Sequence, residues 1–244
     1  MVMISAWGRT RYWQPDLIVA GEEKRRLYRK AGWWGDQTLA DLFFANASKY
    51  PDRLALVDAP NRADFAFGAT HRLTYAEMQA EVERLAGALI AAGVGKDDVI
   101  VIQLPNISEF VSLYFAAATI GAIVSPVAVQ YRSHELSAMF GIVEPKAFIC
   151  GTVLKGADHV GTVRPLLGDK IKLMTFGPDA PSDAIDLGAE PERPELLAAH
   201  LAATSVDADD GNPQSASMPR SRSSAIIAFA ASACRTSIRR CNPA

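Results

Sequence analysis

Val99-Ile100-Val101-Ile102-Gln103-Leu104-Pro105-Asn106-Ile107-Ser108-Glu109-Phe110 holds a strand, a turn and the opening of a helix in twelve residues. Four β-branched residues in succession, with no polar alternation, predict a strand covered on both faces, as strands of parallel sheets are. Pro105-Asn106 then turns the chain into a helix from Ile107, and Asn106 and Glu109 have the spacing of a capping box. Phe110, Leu113, Tyr114 and Ala117 recur at helical spacing and are the expected buried face.

The alternation continues in both directions. Upstream, Thr74 and Glu77 form a second capping box, opening a helix that turns Met78, Val82, Leu85, Ala86 and Leu89 inward and stops near Gly93. Downstream, Ala122 to Val127 predicts a strand, and Ser133 caps a helix through Met139. Ala147 to Cys150 is a further strand, followed by a helix from Val160 to Leu167 and a strand from Ile171 to Thr175. Strands separated by helices of this length require right-handed crossovers. The expected fold is therefore α/β, a doubly wound parallel sheet with flanking helices.

The N-terminal third is less periodic. Residues 1–35 read as an extended arm in which Trp33 and Trp34 are packing residues. Asp36 can cap a helix from Gln37 to Lys49 that presents Leu39, Leu42 and Phe43 on one face, and Pro51 ends it. Arg53 to Asp58 and Arg72 to Tyr75, separated by the turn-rich Ala59 to Thr70, suggest a hairpin. The chain thus divides into an arm at 1–35, an α/β domain at 36–210 and an atypical Arg/Ser/Ala tail at 211–244.

Composition narrows the class. The chain has 244 residues, 49% of them hydrophobic, and a formal net charge of −2. That length suffices for a substantial core, and the balanced charge argues against binding nucleic acid or an anionic membrane, since both need a basic field. Cys150, Cys234 and Cys241 make neither an even disulfide framework nor a metal-ligand pair, so reduced thiols in the cytoplasm are expected. The first residues lack the apolar run of a secretory signal. Residues 110–129 carry no charge between Glu109 and Arg132, long enough for a membrane anchor. Gly121 and Pro126 interrupt that run, and its Ala-rich part gives way to Ile123-Val124, so a helix followed by a strand is the expected reading.

No motif assigns catalysis on its own residues. Gly93-Val94-Gly95 follows a helix and precedes a strand, which makes it a helix terminus and not a dinucleotide fingerprint. Gly151 to Gly156 has the glycine spacing of a P-loop, but Ala157-Asp158 replaces the Lys-Ser/Thr that would contact phosphate and magnesium. His71, His134, His159 and His200 lack helical zinc spacing or a neighbouring nucleophile motif and read as surface or turn residues. Glu77 and Glu109 are explained by capping, and Cys234 with Cys241 forms no second metal pair. Catalytic residues and metal ligands are therefore none, and cofactor-binding residues are unassigned.

Four segments carry a family resemblance. Leu73-Thr74-Tyr75-Ala76-Glu77, Gly93-Val94-Gly95-Lys96-Asp97-Asp98-Val99, Leu104-Pro105-Asn106-Ile107-Ser108-Glu109-Phe110 and Ala118-Thr119-Ile120-Gly121-Ala122-Ile123-Val124-Ser125-Pro126 resemble, in order and spacing, the N-terminal domain of AMP-forming acyl-CoA synthetases, the adenylate-forming, AMP-binding enzymes. The resemblance runs from about Trp34 to Asp210. Gln130 to Leu136 is further similar to members acting on medium-chain, aromatic or alicyclic acids. The resemblance implies a ligase that uses ATP and Mg2+ to convert a carboxylate to an acyl-adenylate, releasing pyrophosphate, and then transfers the acyl group to coenzyme A.

The chain departs from the family after Asp209-Asp210. There the family has a Thr/Ser/Gly-rich phosphate loop ending in Pro-Lys-Gly, whose amides, hydroxyls and lysine stabilise phosphate charge. Here the sequence is Gly211-Asn212-Pro213-Gln214-Ser215, with Gln214 where the lysine is expected. The tail from Gly211 has five arginines, seven serines, no lysine and no acidic residue, the pattern expected of a reading-frame change, with a basic tail for nucleic acid or acidic partners as the alternative. The adenine- and ribose-binding motifs and the C-terminal domain of the family are likewise absent, so no family catalytic residue transfers to this chain. The expected function is a truncated AMP-dependent carboxylate–CoA ligase, inactive alone. The alternatives are a noncatalytic acyl-binding or dimerisation module and a membrane-anchored protein through 110–129. No cofactor is expected for the chain alone, against ATP, Mg2+ and CoA for the intact family. The expected partners are a carboxylic acid in the intact family and, through an unpaired sheet edge, a homo-oligomer, with neither nucleic acid nor stable membrane insertion.

Overall fold

The computed structural model of the protein describes residues 22–35 and 37–206. In chain order these form α1 (Glu22–Lys30), α2 (Leu39–Lys49), β1 (Leu54–Val57), a 3-10 turn at Arg62–Asp64, β2 (Arg72–Thr74), α3 (Tyr75–Ala91), β3 (Val99–Gln103) and α4 (Ser108–Ile120). They continue with β4 (Ile123–Pro126), α5 (Ser133–Val143), β5 (Ala147–Gly151), β6 (Val153–Leu154), β7 (Ala157–Asp158), α6 (His159–Leu167), β8 (Lys172–Phe176), β9 (Ile185–Asp186) and α7 (Pro194–Val206). The expectations for Asp36 and for the tail at 211–244, with Gln214, Cys234 and Cys241, lie outside the described residues.

Five strands make one parallel sheet in the order β4-β3-β5-β8-β9. After β3 the chain moves to one side for β4, then steps back past β3 to lay down β5. Right-handed crossovers therefore place α4 on one face and α5 and α6 on the other. The alternation of side chains along each strand feeds two cores. Ile100, Ile102, Ile149 and Met174 pack with residues of α3 and α4, whereas Val101, Phe148, Cys150 and Leu173 pack with Leu136, Phe140, Val160 and Val163 of α5 and α6. Every residue of β3 and β5 is buried, which explains their unbroken apolar sequences. This is the doubly wound α/β fold expected from the sequence.

The capping box of α3 forms as read: Thr74 N–H donates to Glu77 Oε2 at 2.8 Å, and Glu77 N–H donates to Thr74 Oγ1 at 3.3 Å. Met78, Val82, Leu85, Ala86 and Leu89 are all buried. The hairpin is also present as β1 against β2, antiparallel, with an irregularity between Leu54 and Leu56.

Several local expectations change. α2 is capped by Thr38, whose hydroxyl accepts from Asp41 N–H, and it buries Ala40, Phe43 and Ala47, leaving Leu39 and Leu42 53% and 46% exposed. The expected inward face thus holds for Phe43 and fails for Leu39 and Leu42, whose places against the core are taken by Ala40 and Ala47. Tyr114 is exposed on α4, where the small Ala116 joins Leu113 and Ala117 against the core. Ser133 is the first residue of α5 and not its cap; Glu135 accepts from Arg132 N–H at 2.9 Å. The described part of the arm contains α1, and Tyr28 contacts the rings of the exposed Trp33 and Trp34.

The membrane-anchor alternative is overturned. Residues 110–129 divide into most of α4 and the separate strand β4, and no helix among the described residues is long and apolar enough to cross a membrane. Gly121, with φ +76°, ends α4 where the run was expected to break.

Candidate functional site

Arg62 carries a charge, which is rarely enclosed without a partner, yet the residue is 0% exposed. It follows β1 in the connection that leads to β2. Its guanidinium donates to Asp58 Oδ2 at 2.5 Å, to Glu109 Oε1 at 2.5 Å and Oε2 at 2.9 Å, to Ser108 Oγ at 3.2 Å, and to the Phe67 carbonyl at 2.9 Å. His71 Nδ1 lies 2.8 Å from Ser108 Oγ and 3.3 Å from Arg62 Nη1. Asp58 Oδ1 accepts from Ser108 N–H at 2.7 Å and so satisfies the first turn of α4 from another element. Burial pushes the Asp58 carboxyl upward, but hydrogen bonds from the His71 backbone, Arg62 and the Ser108 backbone outweigh it and hold the group below its ordinary value. Burial likewise disfavours the Arg62 cation, and the bonds to Glu109 and Asp58 reverse that and raise its pKa.

This cluster anchors the 59–71 connection over the C-terminal ends of the sheet strands. Phe67, beneath the Arg62 guanidinium at 5.6 Å from ring centroid to Cζ, lies against Gly151 and Gly177. A Cβ at Gly177, where φ is +112°, would sit 2.6 Å from Thr152 Oγ1 and 3.2 Å from the Phe67 ring. A Cβ at Gly151 would sit 3.0 Å from that ring and 2.7 Å from Leu154. The glycines therefore let an aromatic ring approach the backbone at the ends of β5 and β8.

The crevice of an open α/β sheet lies where successive crossovers leave for opposite faces, beyond the strand C-termini. In this strand order that point falls between β3 and β5, at Gln103 and Gly151. Gln103, Cys150 and Thr175 are register neighbours across β3, β5 and β8, so two polar side chains flank the buried thiol near the C-terminal ends of otherwise apolar strands. Gln103 donates to the carbonyls of Ala128 and Tyr131 at 3.0 Å each, and its Oε1 is 3.1 Å from His159 Nδ1. Burial and the Arg132 charge lower the His159 pKa, against smaller opposing effects of Asp158 and the Leu154 backbone. Burial pushes the Cys150 thiol up to about 12, so it is an inert core group. The hydroxyls of Thr152 and Thr175 are buried without a hydrogen-bond partner among the described residues.

Among the residues singled out from sequence, Glu77 is a cap, as expected, but Glu109 is not. The N-cap position of α4 is Ile107, and Glu109 is committed to Arg62. His134 is exposed, and His71 keeps its side chain 44% exposed in the loop before β2 while bonding to the ionic cluster; His159 is buried, so the surface reading fails for it. His200 is half-buried, with Nε2 3.0 Å from the Ile120 carbonyl. Gly93, at φ +83°, follows α3 as a helix terminus, and Gly151 to Gly156 leads into the β6–β7 hairpin around Lys155-Gly156, both at positive φ. Asp58, Arg62, Ser108 and Gln103 were missed. A polar residue closing the Val99–Ile102 run was a usable signal for Gln103; nothing local distinguished Arg62.

Comparison with known proteins agrees with this fold. The family model described as AMP-binding enzyme matches residues 43–229, past Asp210. The chain is 33% identical over 149 residues to the medium-chain fatty-acid–CoA ligase of Escherichia coli strain K12, covering 61% of this chain and 25% of that one. It is 32% identical over 143 residues to the 2,3-dihydroxybenzoate-AMP ligase of Bacillus subtilis strain 168, covering 59% of this chain and 25% of the relative. The chain therefore spans about a quarter of the length of these relatives. In fold it is similar to the apo structure of MbtA from Mycobacterium smegmatis, with a TM-score of 0.57, 24% identity, and coverage of 71% of this chain and 31% of that one. With the family model matched over most of its length and the sheet wound as described, this chain belongs to the AMP-binding enzyme family, homologous to adenylate-forming ligases.

Proposed function

We propose that this chain is the N-terminal portion of an AMP-forming carboxylate ligase and contributes the switch-point crevice to its acid-binding side. The observation that carries the reading is the family match over residues 43–229, which includes the whole parallel sheet. The two relatives above are a fatty-acid–CoA ligase and an aryl-AMP ligase by name, which supports a carboxylic acid as substrate class. The intact enzyme would take ATP, Mg2+ and the acid, with coenzyme A as the acyl acceptor.

The described residues do not fit the magnesium ion. No group of three or more His, Cys, Asp or Glu among them could hold a metal, and Asp58 and Glu109 are occupied by Arg62. Adenylation also needs cationic and amide donors for the departing pyrophosphate, and Gln214 supplies no charge where the family's lysine is expected. The chain by itself is therefore proposed to be inactive in adenylation while retaining an acid-binding surface.

ATP–pyrophosphate exchange with a panel of alkyl and aryl acids tests this. No exchange, together with thermal stabilisation by at least one acid, is the expected result. Acid-dependent exchange by the chain alone would overturn the inactivity, and no stabilisation by any acid would overturn the acid-binding assignment.

A further inference from the structure

We propose that Gln103 is the positioning residue of the switch-point crevice, tying the β4–α5 loop to the start of α6 and selecting the Nδ1–H tautomer of His159. The inference rests on the acid-binding reading above only for its ligand consequence; the geometry stands on side chains already described. Gln103 is 1% exposed at the last position of β3, so its amide has no solvent to bond. A carboxamide has two N–H donors, and both are used, on Ala128 and Tyr131. The flipped amide would set Oε1 against two carbonyl oxygens, which settles the orientation. Oε1 therefore faces His159 and can only accept, so this contact favours the proton on Nδ1, with the Leu154 backbone as a second hydrogen-bond partner of the ring.

The placement matters because Gln103 reaches both sides of the switch point. The 127–132 loop leaves β4, and α6 begins at His159 after the β6–β7 hairpin that follows β5. One side chain on β3, the strand between β4 and β5, thus sets the spacing of the two segments that flank the crevice. Hydrogen bonds of this kind select a single arrangement when every member is satisfied, and all three of Gln103's bonds go to different residues.

Two variants of the full chain separate the roles. Gln103→Glu keeps the acceptor for His159 and loses the two donors; Gln103→Leu loses all three bonds. The readouts are His159 ring 15N shifts at neutral pH, amide exchange across 127–132, and thermal stabilisation by octanoate and benzoate. Expected are an Nδ1–H ring in the native chain and in Gln103→Glu, a shift toward Nε2–H in Gln103→Leu, and loop exchange faster by about tenfold or more in both variants. The tautomer reports the Gln103–His159 contact itself, which a general loss of packing would not move. An Nε2–H ring in the native chain, or loop exchange unchanged in both variants, would overturn the proposal. Where either acid stabilises the native chain, the stabilisation falls in both variants; if it stays at the native level, the effect on ligand is refuted. If neither acid stabilises the native chain, the acid-binding reading fails while the tautomer and exchange results still decide the role of Gln103.

Discussion

Replacing Arg62 with methionine keeps much of the side-chain volume and removes the guanidinium from a buried site that holds two carboxylates. Arg62 makes five hydrogen bonds to Asp58, Glu109, Ser108 and the Phe67 carbonyl. These do not add independently, and the relevant quantity is the penalty of leaving Asp58 and Glu109 enclosed without a counterion, about 3–5 kcal/mol. That is a large part of the roughly 5–15 kcal/mol that holds a domain folded. Urea unfolding followed by circular dichroism measures it. Adding Asp58→Asn and Glu109→Gln to the variant removes the stranded charges and should recover at least half of the loss. The pH dependence has a definite sign. In the native chain Asp58 lies below its ordinary 3.8, so its contribution is present above that pH and is lost as pH falls through the lower folded value. In Arg62→Met, burial without a cation raises the carboxyl pKa values, so the deficit shrinks on acidification. A loss under about 1 kcal/mol, the size of an exposed ion pair, or no recovery in the triple variant would refute the reasoning.

Further outcomes follow from individual contacts. Gly177→Ala puts a methyl group 2.6 Å from Thr152 Oγ1 at φ +112°, and should cost about 1–3 kcal/mol in urea unfolding while increasing protease cleavage within 59–71. Thr74→Ala should lower stability by about 0.5–2 kcal/mol, whereas Asn106→Ala should be near neutral because α4 takes no side-chain cap from it; equal losses would restore the second capping box. Cys150, its thiol pushed up to about 12, should resist alkylation at mildly alkaline pH in native protein and react once unfolded. His159 has a folded pKa below its ordinary 6.5, so stability should decline as pH falls below that value, and His159→Gln should flatten this part of the profile.

Some elements were legible because their causes are local. The α3 capping box needs Thr74 and Glu77 three residues apart, and its buried face needs only helical spacing. The burial of β3 and β5 follows from uninterrupted apolar residues, and the crossover rule converts alternating strands and helices into a doubly wound sheet. β9 and α7 were not anticipated: β9 has only Ile185 and Asp186, paired with Met174 and Thr175 of β8, too short for a periodic signal.

The amino-acid sequence by itself determined the fold class, the main strands and the family, since these depend on periodicity, caps and ordered segments of neighbouring residues. Tertiary structure alone decided the site. Arg62 meets Glu109 across 47 positions and Gln103 meets His159 across 56, and neither pairing leaves a mark within a local window. Glu109 shows the physical reason most directly. Its position suits a cap, but a buried guanidinium within reach offers charged hydrogen bonds, and that interaction outweighs the local one.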